Sequence, residues 1–423
     1  MKDNLWQATG IPPRPKPSLD GRQTVDVCVV GGGVGGTASA YFMSRSGATV
    51  ILLEADRIGS GAAGKSSGFV NAGLWAPPER IFKAIGEIYG ARLIALLGEA
   101  PRKTFDLIRR LGLECEANNS GTLQCAPDDL AFADLKARFA SWDSQLGDIR
   151  LADAAETAQL TGTSAYRGAL IDYRAGVLQP LSYVRSLARA AESAGATIYE
   201  NSLADAFRFS DGHWHIRTKY GGVSARSLLI TTEAYTIGSM FGLAREHVPM
   251  PYFNAAIRPL TASERSKVMP AGQPIVDLRK VVSSYRFDSQ GRLIVGSIGE
   301  LAGLDGAVNR QWVSRKIARL FPTLRGVEVE HAWTGRIGVT KNHMPTIHRL
   351  GPQAYALGGY NGRGIAAATV LAELLSDVIM GRMPKEDLPV PLTDPSIARM
   401  RMARSGGIRV GAATFHLMDG HWN

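Results

Sequence analysis

The residues with the clearest chemical signature form a glycine-rich segment followed by one acidic side chain. Gly31, Gly33 and Gly36 have Gly-x-Gly-x-x-Gly spacing, directly after an apolar run at 25–30. Glu54 lies 23 positions beyond Gly31. Such glycines let a pyrophosphate approach a helix N-terminus, and the acid accepts hydrogen bonds from ribose hydroxyls. The pattern predicts a dinucleotide site, and the alternative is a glycine turn without a ligand. The residues expected at the dinucleotide are Gly31, Gly33, Val34, Gly36, Glu54 and Ala55.

A strand, a helix and a second strand must position these residues. The run at 25–30 is apolar and rich in Val, as expected of a strand buried on both faces. Residues 37–46 are expected to form a helix that ends at Gly47. The second strand, 50–53, then delivers Glu54. Because an acid rather than an Arg occupies this position, the segment favours FAD or NAD over NADP.

Hydrophobic periodicity predicts alternating helices and strands along the rest of the chain. Helical spacing occurs at 78–112, 129–145, 181–193, 312–321 and 365–380. Strand patterns occur at 121–125, 196–200, 204–209, 213–218, 224–231, 249–262, 281–287, 293–295, 327–333 and 354–357. A second glycine-rich loop, 358–364, leads straight into the last helix. Residues 1–23 hold four prolines and are expected to form an extended arm.

Composition narrows the class of protein. The chain has 423 residues, of which 45% are hydrophobic and 20% charged, and a net charge of +10. We expect a cytoplasmic protein, because no apolar run could span a membrane and no signal region is evident. Three cysteines without Cys-x-x-Cys or clustered His predict no metal site. The charge suits anionic cofactors and acidic substrates, and the arginine cluster at 399–409 is expected to be a solvated face rather than a nucleic-acid site.

Six further segments are similar to those of a known family. Gly61-Ala-Ala-Gly64-Lys65-Ser-Ser-Gly68 matches the family's Gly-Ala-Ser-Gly-Arg-Asn-Gly-Gly loop, with Lys in place of Arg. The others are Leu5-Trp6-Gln-Ala-Thr, Gly176-Val-Leu-Gln-Pro180, Leu229-Ile-Thr-Thr-Glu-Ala-Tyr235, Trp333-Thr-Gly-Arg336 and Gly359-Tyr-Asn-Gly-Arg-Gly364. Over about residues 5–395 the chain resembles the FAD-dependent D-amino-acid-oxidase superfamily. It is most similar to the branch with gamma-glutamylputrescine oxidase, glycine oxidase and sarcosine oxidase.

The resemblance implies a non-covalently bound FAD, because the family's covalent anchors, a C-terminal Cys or an N-terminal His, are missing here. Ser202 and Ala204 should adjoin the adenine. The glycine loop 358–364 should face the flavin pyrimidine edge, where a helix N-terminus stabilises the negative charge of reduced flavin. The other implied contacts are Ser60, Gly61, Ala62, Ala63, Gly64, Lys65, Ser66, Ser67, Thr232, Gly335, Gly359, Tyr360, Asn361, Gly362, Arg363, Gly364 and Ile365.

The implied fold class is α/β, with an FAD-binding Rossmann-like domain of glutathione-reductase type interleaved with a mixed-sheet substrate domain. We expect the arm at 1–23, the FAD domain at 24–76, 165–245 and 328–382, the substrate domain at 77–164 and 246–327, and a C-terminal tail at 383–423.

The implied reaction is oxidation of a primary or secondary amine to the imine, with oxygen reduced to hydrogen peroxide. The substrate would be of amino-acid or gamma-glutamyl-polyamine type, which the protein orients against the flavin. Two alternatives stay open. One is a dehydrogenase of the same fold that passes electrons to a quinone or a protein. The other, suggested by the charge alone, is a non-catalytic flavoprotein or RNA-associated module.

Three basic residues and three aromatic residues are candidates for the reaction site. Lys65 is the candidate catalytic residue, since a cation beside the ring can favour electron transfer to oxygen; the alternative is a solvated loop lysine. Arg286 would hold a substrate carboxylate or amide, or else form a surface salt bridge. Arg336 is a second candidate, in a register shifted by one residue from the family's carboxylate-binding Arg. An amine pocket lined by aromatic faces, or alternatively a core, would contain Tyr252, Tyr285 and Trp333.

Overall fold

Two large β-sheets dominate the structure. A computed structural model describes residues 4–146, 148–238 and 240–419. The strands are β1 Gly21–Val30, β2 Val50–Leu53, β3 Phe69–Val70, β4 Thr122–Ala126, β5 Ile149–Asp153, β6 Gly168–Asp172, β7 Gly176–Val177, β8 Thr197–Tyr199, β9 Ala206–Ser210, β10 His213–Arg217, β11 Gly221–Ile230, β12 Val248–Pro259, β13 Ile275–Asp277, β14 Ser283–Phe287, β15 Arg292–Ile298, β16 Val329–Val339, β17 Thr346–Gly351, β18 Ala354–Gly358 and β19 Leu392–Thr393. The α-helices are α1 Leu5–Thr9, α2 Val34–Arg45, α3 Pro78–Ile85, α4 Glu87–Leu111, α5 Asp129–Leu146, α6 Ala154–Thr161, α7 Pro180–Ser193, α8 Ala262–Arg265, α9 Gly303–Leu320, α10 Gly364–Ile379 and α11 Arg401–Met418. Within the described ranges, no helix is long and apolar enough to cross a membrane.

The first sheet carries the glycine-rich turn. Its strand order is β19-β17-β18-β11-β1-β2-β8, and the β9-β10 hairpin is attached to β11. β1 runs parallel to both β2 and β11. Alternate residues of β1 face different layers. Val27 and Val29 share a core with α2, α7 and α10, whereas Cys28 and Val30 share one with Trp214 of the hairpin. Burial on both faces explains why this strand is apolar throughout.

The second sheet has one face in a core and the other towards the loop after β2. Its order is β16-β12-β15-β14-β13-β4-β6-β5. Phe253, Tyr285 and Val295 pack with Trp312 of α9. Because side chains alternate along a strand, Asn254 turns to the opposite face, where it contacts the loop after β2. The α/β class with two interleaved sheets is therefore confirmed.

Two strands lie in a different sheet from the one expected. β6 pairs with β4 and β5, and β16 pairs with β12, so both belong to the second sheet. The division made from sequence places 165–245 and 328–382, which include β6 and β16, wholly in the FAD domain. Periodicity identifies a strand but not its partner, because pairing depends on contacts between segments far apart in the chain.

Residues 4–9 and α11 pack on the rest of the protein, so the expectation that residues 1–23 form an extended arm without a helix is corrected, whereas Arg399, Arg404 and Arg409 are exposed, as expected of a solvated face. Asn4 caps α1, and Trp6 in that helix is fully buried. α11 packs on β12 and α9, with His416 buried in the contact. Of the basic residues near α11, Arg409 pairs with Asp305 at 2.8 Å. The prolines restrict only the segment that follows α1.

Candidate active site

The turn between β1 and α2 has the geometry of a phosphate cradle. Gly31 has a φ of +107°, which favours glycine. A Cβ on Gly36 would lie 1.8 Å from the Gly31 carbonyl oxygen, so glycine allows helix and strand to approach this closely. An added Cβ on Gly33 would meet nothing within 4 Å. Gly33 is also the N-cap of α2 and offers no side chain to the first turn, whose N–H groups can therefore bind an anion.

Glu54 lies beside this turn, at the end of β2. Its carboxylate accepts hydrogen bonds from the backbone N–H groups of Gly32 at 2.6 Å and Asp56 at 2.9 Å. Burial raises the pKa of the carboxyl, and the two N–H donors oppose that rise. Ser202 donates its backbone N–H to the Glu54 carbonyl at 2.8 Å. Ala204 is buried in the same core cluster as residues of β1 and β2. The structure thus groups the residues predicted to bind adenosine.

The second glycine loop approaches the first. The Tyr360 hydroxyl is buried without a hydrogen-bond partner among the described residues, and a Cβ on Gly35 would lie 3.3 Å from it. Asn361 Oδ1 accepts a hydrogen bond from the Thr340 N–H at 2.9 Å, which holds the loop. α10 begins at Gly364, and its N-cap makes no side-chain hydrogen bond. A buried hydroxyl and a second helix N-terminus therefore offer donors at this end of the site.

The loop after β2 is anchored on the second sheet. The Lys65 carbonyl accepts hydrogen bonds from Asn254 Nδ2 at 3.1 Å and from Trp333 Nε1 at 2.9 Å. Ser67 Oγ donates to Asn254 Oδ1 at 2.7 Å. These bonds hold the loop between the two sheets. The predicted cofactor residues in this loop are Ser60, Gly61, Ala62, Ala63, Gly64, Lys65, Ser66 and Ser67.

Two cationic side chains flank the ring of Tyr235. Lys65 Nζ lies 5.1 Å and Arg336 Cζ 4.8 Å from the ring centre. The Arg336 backbone N–H donates to the Tyr235 hydroxyl at 3.0 Å. A Cβ on Gly61 would lie 3.6 Å from the same ring. Burial lowers the pKa of Lys65, and the charge of Arg336 adds to that effect. The structure thus brings Lys65 and Arg336 together around an aromatic residue that sequence reasoning had not singled out.

Glu233 is a second residue that the sequence-based prediction missed. It has a φ of +47°, and its Oε1 lies 2.6 Å from the position of a Cβ on Gly338. Burial raises the pKa of its carboxyl to about 7, and the charge of Glu246 adds to the rise. The charge of Glu233 in turn helps to raise the pKa of Tyr252 and of Tyr360. The only signal in the sequence is a carboxylate directly after a buried strand, which is typical of many turns.

The structure does not support substrate-binding roles for Arg286 and Tyr285. Arg286 is 2% exposed, and its Nη1 donates to the carbonyls of Ser67 at 3.0 Å and Leu178 at 2.7 Å. Its guanidinium lies 5.3 Å from the centre of a Trp6 ring. Burial lowers the pKa of Arg286 to about 10. Tyr285 is fully buried on the opposite face of β14. Arg286 therefore ties the loop after β2 to the second sheet.

Tyr252 and Trp333 lie on the sheet face that turns towards this loop. Tyr252 pairs with Gly335 across β12 and β16, and Trp333 pairs with Asn254. Burial raises the pKa of Tyr252, with further contributions from Tyr235 and Glu233. Both aromatic side chains thus belong to one wall beside the loop.

Thr232 lies just beyond β11, where its hydroxyl shares a 2.7 Å hydrogen bond with Thr236. Ile365 is buried in the first turn of α10.

These features define a class of protein. The open cradle at Gly33, the acid at Glu54 and the unpartnered hydroxyl of Tyr360 fit a dinucleotide that reaches from one glycine loop to the other. A second helix N-terminus at Gly364 suits the flavin end of FAD. The fold and the site are those of a flavin-dependent oxidoreductase.

The chain belongs to the family described as FAD dependent oxidoreductase (DAO), whose model matches residues 26–378. Its cofactor is FAD. It is 28% identical over 420 residues to a probable oxidoreductase OrdL of Rhizobium meliloti, covering 98% of this chain and 97% of the relative. It is 27% identical over 409 residues to the gamma-glutamylputrescine oxidoreductase of Escherichia coli, covering 96% and 95%. A crystal structure of glycine oxidase from Geobacillus kaustophilus has the same fold, with a TM-score of 0.73 at 18% identity over 89% of this chain and 99% of that one.

Proposed function

We propose that this protein oxidises a primary or secondary amine to the imine and passes the electrons to oxygen. The observation that carries the proposal is the grouping of Lys65, Arg336 and Glu233 around Tyr235 and Tyr252, beside the anchored loop after β2. FAD, which the Gly31–Gly36 turn and Glu54 would hold, would supply the redox chemistry: acceptance of a hydride from the C–H next to nitrogen, and delivery of two electrons to oxygen, which with two protons would give hydrogen peroxide. Relatives named gamma-glutamylputrescine oxidoreductase and glycine oxidase support an amine substrate.

The aromatic residues would bind the amine. Tyr235 already holds two cationic side chains against its ring, at 5.1 Å and 4.8 Å, so its face attracts positive charge. Tyr252 lies near Tyr235, since ionisation of the Tyr235 phenol would raise the pKa of Tyr252. Because Lys65 and Arg336 already lie against the Tyr235 ring, a substrate ammonium ion would approach Tyr252 and Glu233 rather than that ring.

Glu233 would accept the proton that the ammonium must lose. A nitrogen that keeps this proton has no lone pair to support loss of hydride from the neighbouring carbon. A carboxyl with a pKa of about 7 is partly ionised at neutral pH, which suits a proton acceptor. Its Oε2 accepts a hydrogen bond from the Ala234 N–H, which fixes the carboxylate.

Lys65 and Arg336 would stabilise negative charge rather than transfer protons. A cation near the ring stabilises the negative charge that develops when electrons pass to oxygen. Lys65 is the better placed for this, because its carbonyl is fixed by two hydrogen bonds to the second sheet. Arg336 is exposed and adds a second positive charge near Tyr235.

The test is a panel of amines mixed with the holoenzyme without oxygen, followed at the flavin absorption band. We expect at least one amine of the amino-acid or gamma-glutamyl class to bleach the band, and oxygen to restore it with release of hydrogen peroxide. Bleaching that a quinone reverses and oxygen does not would identify a dehydrogenase instead. A panel without any bleaching would refute the proposal.

A further inference from the structure

Four side chains that can carry a proton lie next to one another beyond the end of β11. Glu233 follows β11, Glu246 and His247 precede β12, and His348 lies in β17. Glu233 is half-buried, and the other three side chains are buried. Carboxylates and imidazoles both accept and release protons. The group can therefore move a proton through a part of the protein that is shielded from water.

Glu233 and His247 meet at Gly338, a position of β16 that has no side chain. Glu233 Oε1 lies 2.6 Å and His247 Cγ 3.0 Å from the position of a Cβ on Gly338. Neither ring nitrogen of His247 has a hydrogen-bond partner in the described part of the chain. Glycine at this position therefore leaves the carboxyl beside an imidazole whose nitrogens are free to receive a proton.

Glu246 connects His247 to His348. Its Oε2 lies 3.7 Å from His247 Nε2 and is buried without a hydrogen-bond partner within residues 4–146, 148–238 and 240–419. Its Oε1 shares a hydrogen bond with His348 Nε2. The last torsion of a histidine side chain is broad, so a small rotation of the ring brings His247 Nε2 within hydrogen-bond distance of Glu246.

His348 leads from this group to the surface at Thr393. His348 Nδ1 lies 2.9 Å from Thr393 Oγ1, and a hydroxyl can accept one proton while it donates another. Thr393 is exposed and lies in β19, at the end of the first sheet. A series of neighbouring groups thus runs from Glu233 to solvent.

The surrounding charges keep His247 neutral before it receives a proton. Burial lowers the pKa of His247, and the charges of His348 and of Arg401 in α11 add to that effect, while Glu246 opposes it. The charge of Glu246 also helps to raise the pKa of Glu233. The other titratable groups that interact with Glu233 are Tyr235, Tyr252 and Tyr360. A neutral imidazole beside a protonated carboxyl is the arrangement that proton transfer requires.

We propose that the three buried side chains form a proton relay, which carries the proton accepted by Glu233 to the surface at Thr393. This inference rests on the proposed function, in which Glu233 takes a proton from the substrate ammonium. The Glu233 carboxyl passes that proton to a ring nitrogen of His247, and His247 passes it to Glu246 Oε2. His348 gains a proton at Nε2 and releases one from Nδ1 to the Thr393 hydroxyl, which releases one to water.

The relay returns Glu233 to its ionised form after each turnover. Every substrate that arrives as an ammonium ion brings one proton, and a protonated carboxyl cannot accept the next. Each member of the relay gives up one proton as it gains one, so the relay keeps its charge. The transfer needs no oxidant or reductant.

The first test is nitrogen NMR of the FAD-loaded enzyme with isotope-labelled histidine, titrated with acid and base and without any amine. We expect the ring nitrogens of His247 and His348 to shift in one common step near pH 7, as Glu233 ionises. Glu233→Gln should remove that step from both signals. Gly338→Ala should also remove it, because its Cβ separates the carboxyl from the imidazole without changing a titratable group. The His213 signal is the control, since that ring contacts the Asp211 carbonyl within the β9-β10 hairpin.

The second test is the rate of anaerobic flavin reduction by gamma-glutamylputrescine. His247→Phe keeps a flat ring but cannot carry a proton, so we expect the rate to fall about 10- to 100-fold. A solvent deuterium isotope effect should appear in this variant, because proton transfer then limits the rate. A histidine that only fills space would produce no such isotope effect. His213→Phe is the matched control and should leave both the rate and the isotope effect unchanged.

A His247 signal without a step near pH 7, or a step that survives Glu233→Gln, would overturn the relay. A His348 step that survives His247→Phe would also overturn it, since that step would report only the field of a distant charge. If His247→Phe does not fold, His247→Gln takes its place in both tests. The outcome is separable from the proposed function, because the NMR titration uses no amine and decides the relay even if gamma-glutamylputrescine leaves the flavin oxidised.

Discussion

Arg286 and Arg363 are two buried arginines with opposite chemistry. Both are almost inaccessible to solvent, and burial lowers the pKa of each to about 10. Each guanidinium lies over a tryptophan ring, Arg286 at 5.3 Å from Trp6 and Arg363 at 4.0 Å from Trp75. Arg286 Nη1 reaches two backbone carbonyls at 3.0 Å or less, from Ser67 and Leu178. Arg363 reaches one carbonyl, at Ala72, and keeps a buried Nε without a partner in the described ranges.

The difference separates an arginine whose charge is held by several backbone carbonyls from one with an unsatisfied donor. The charge of Arg286 is neutralised by carbonyl dipoles that tie one loop to one sheet, so nothing is left for a ligand. Arg363 lies near the positive charges of Arg138 and Arg174, which add to the effect of burial on its pKa. Burial alone therefore does not describe a buried arginine, and its hydrogen-bond partners must be counted as well.

Arg286→Met should produce the largest effect on stability. The change leaves the carbonyls of Ser67 and Leu178 without a donor, so we expect the free energy of unfolding to fall by on the order of 3 kcal/mol. Arg363→Met removes one such bond and also relieves repulsion, and should cost on the order of 1 kcal/mol or less. Urea denaturation of both variants as holoenzymes provides the measurement. Equal losses would remove the distinction between the two arginines.

Glu54→Ala should weaken FAD binding, because Glu54 is a buried charge that also faces the ligand. Its carboxylate is fixed by two N–H donors, as a structural group would be, yet it is placed to accept the ribose hydroxyls. The loss of a charged acceptor should raise the FAD Kd roughly 10- to 100-fold. Flavin fluorescence titration of the apoprotein measures this. Glu54→Gln, which keeps an acceptor oxygen, should fall between wild type and Ala.

Glu233→Gln should change how stability depends on pH. The folded-state pKa of Glu233, about 7, exceeds the usual 4.5. Its contribution to the free energy of unfolding is therefore fully present below pH 4.5 and is lost as pH rises through 7. Wild type should therefore lose on the order of 2–3 kcal/mol between pH 5 and 8 relative to the Gln variant. Urea midpoints at several pH values give the comparison. Parallel pH profiles for the two proteins would contradict a raised pKa.

The bound flavin should form no covalent bond with the protein, and this is the smallest expected effect. Like Arg286, the three cysteines are buried inside the protein. Cys28, Cys115 and Cys125 form no disulfide, and burial raises the pKa of each thiol. A buried thiol of this kind is a poor nucleophile. Acid precipitation should leave all yellow colour in the supernatant. Fluorescence on the denatured protein band would show a covalent bond.

The cofactor half of the site was predictable from sequence because it depends on local spacing. Gly31, Gly36 and Glu54 belong to one strand–helix–strand unit, and each requirement is met within 23 residues of Gly31. The same holds for the loop and helix at Gly364. The structure places these residues as the spacing predicts.

The substrate half was not predictable to the same degree, because it is assembled from segments distant in sequence. Lys65, Tyr235 and Arg336 come from three separate segments, and Arg336 is positioned by the pairing of β16 with β12 in the second sheet, although the division made from sequence assigns β16 to the FAD domain. Arg286 carried the same sequence signal as a binding arginine, and only its bonds to Ser67 and Leu178 reveal its role. The helix predicted at 312–321 likewise begins earlier, at Gly303, since glycines at its start weaken the helical pattern.

The most direct test of the proposed function is the rate of anaerobic flavin reduction by a matched pair of amines. One carries a carboxylate, as a gamma-glutamyl or amino-acid amine does, and the other is the same amine without it. We expect the acidic amine to reduce the holoenzyme roughly 10- to 100-fold faster at low concentration, the contribution of one charge-assisted bond. Failure of both amines to bleach the flavin band would contradict amine oxidation itself.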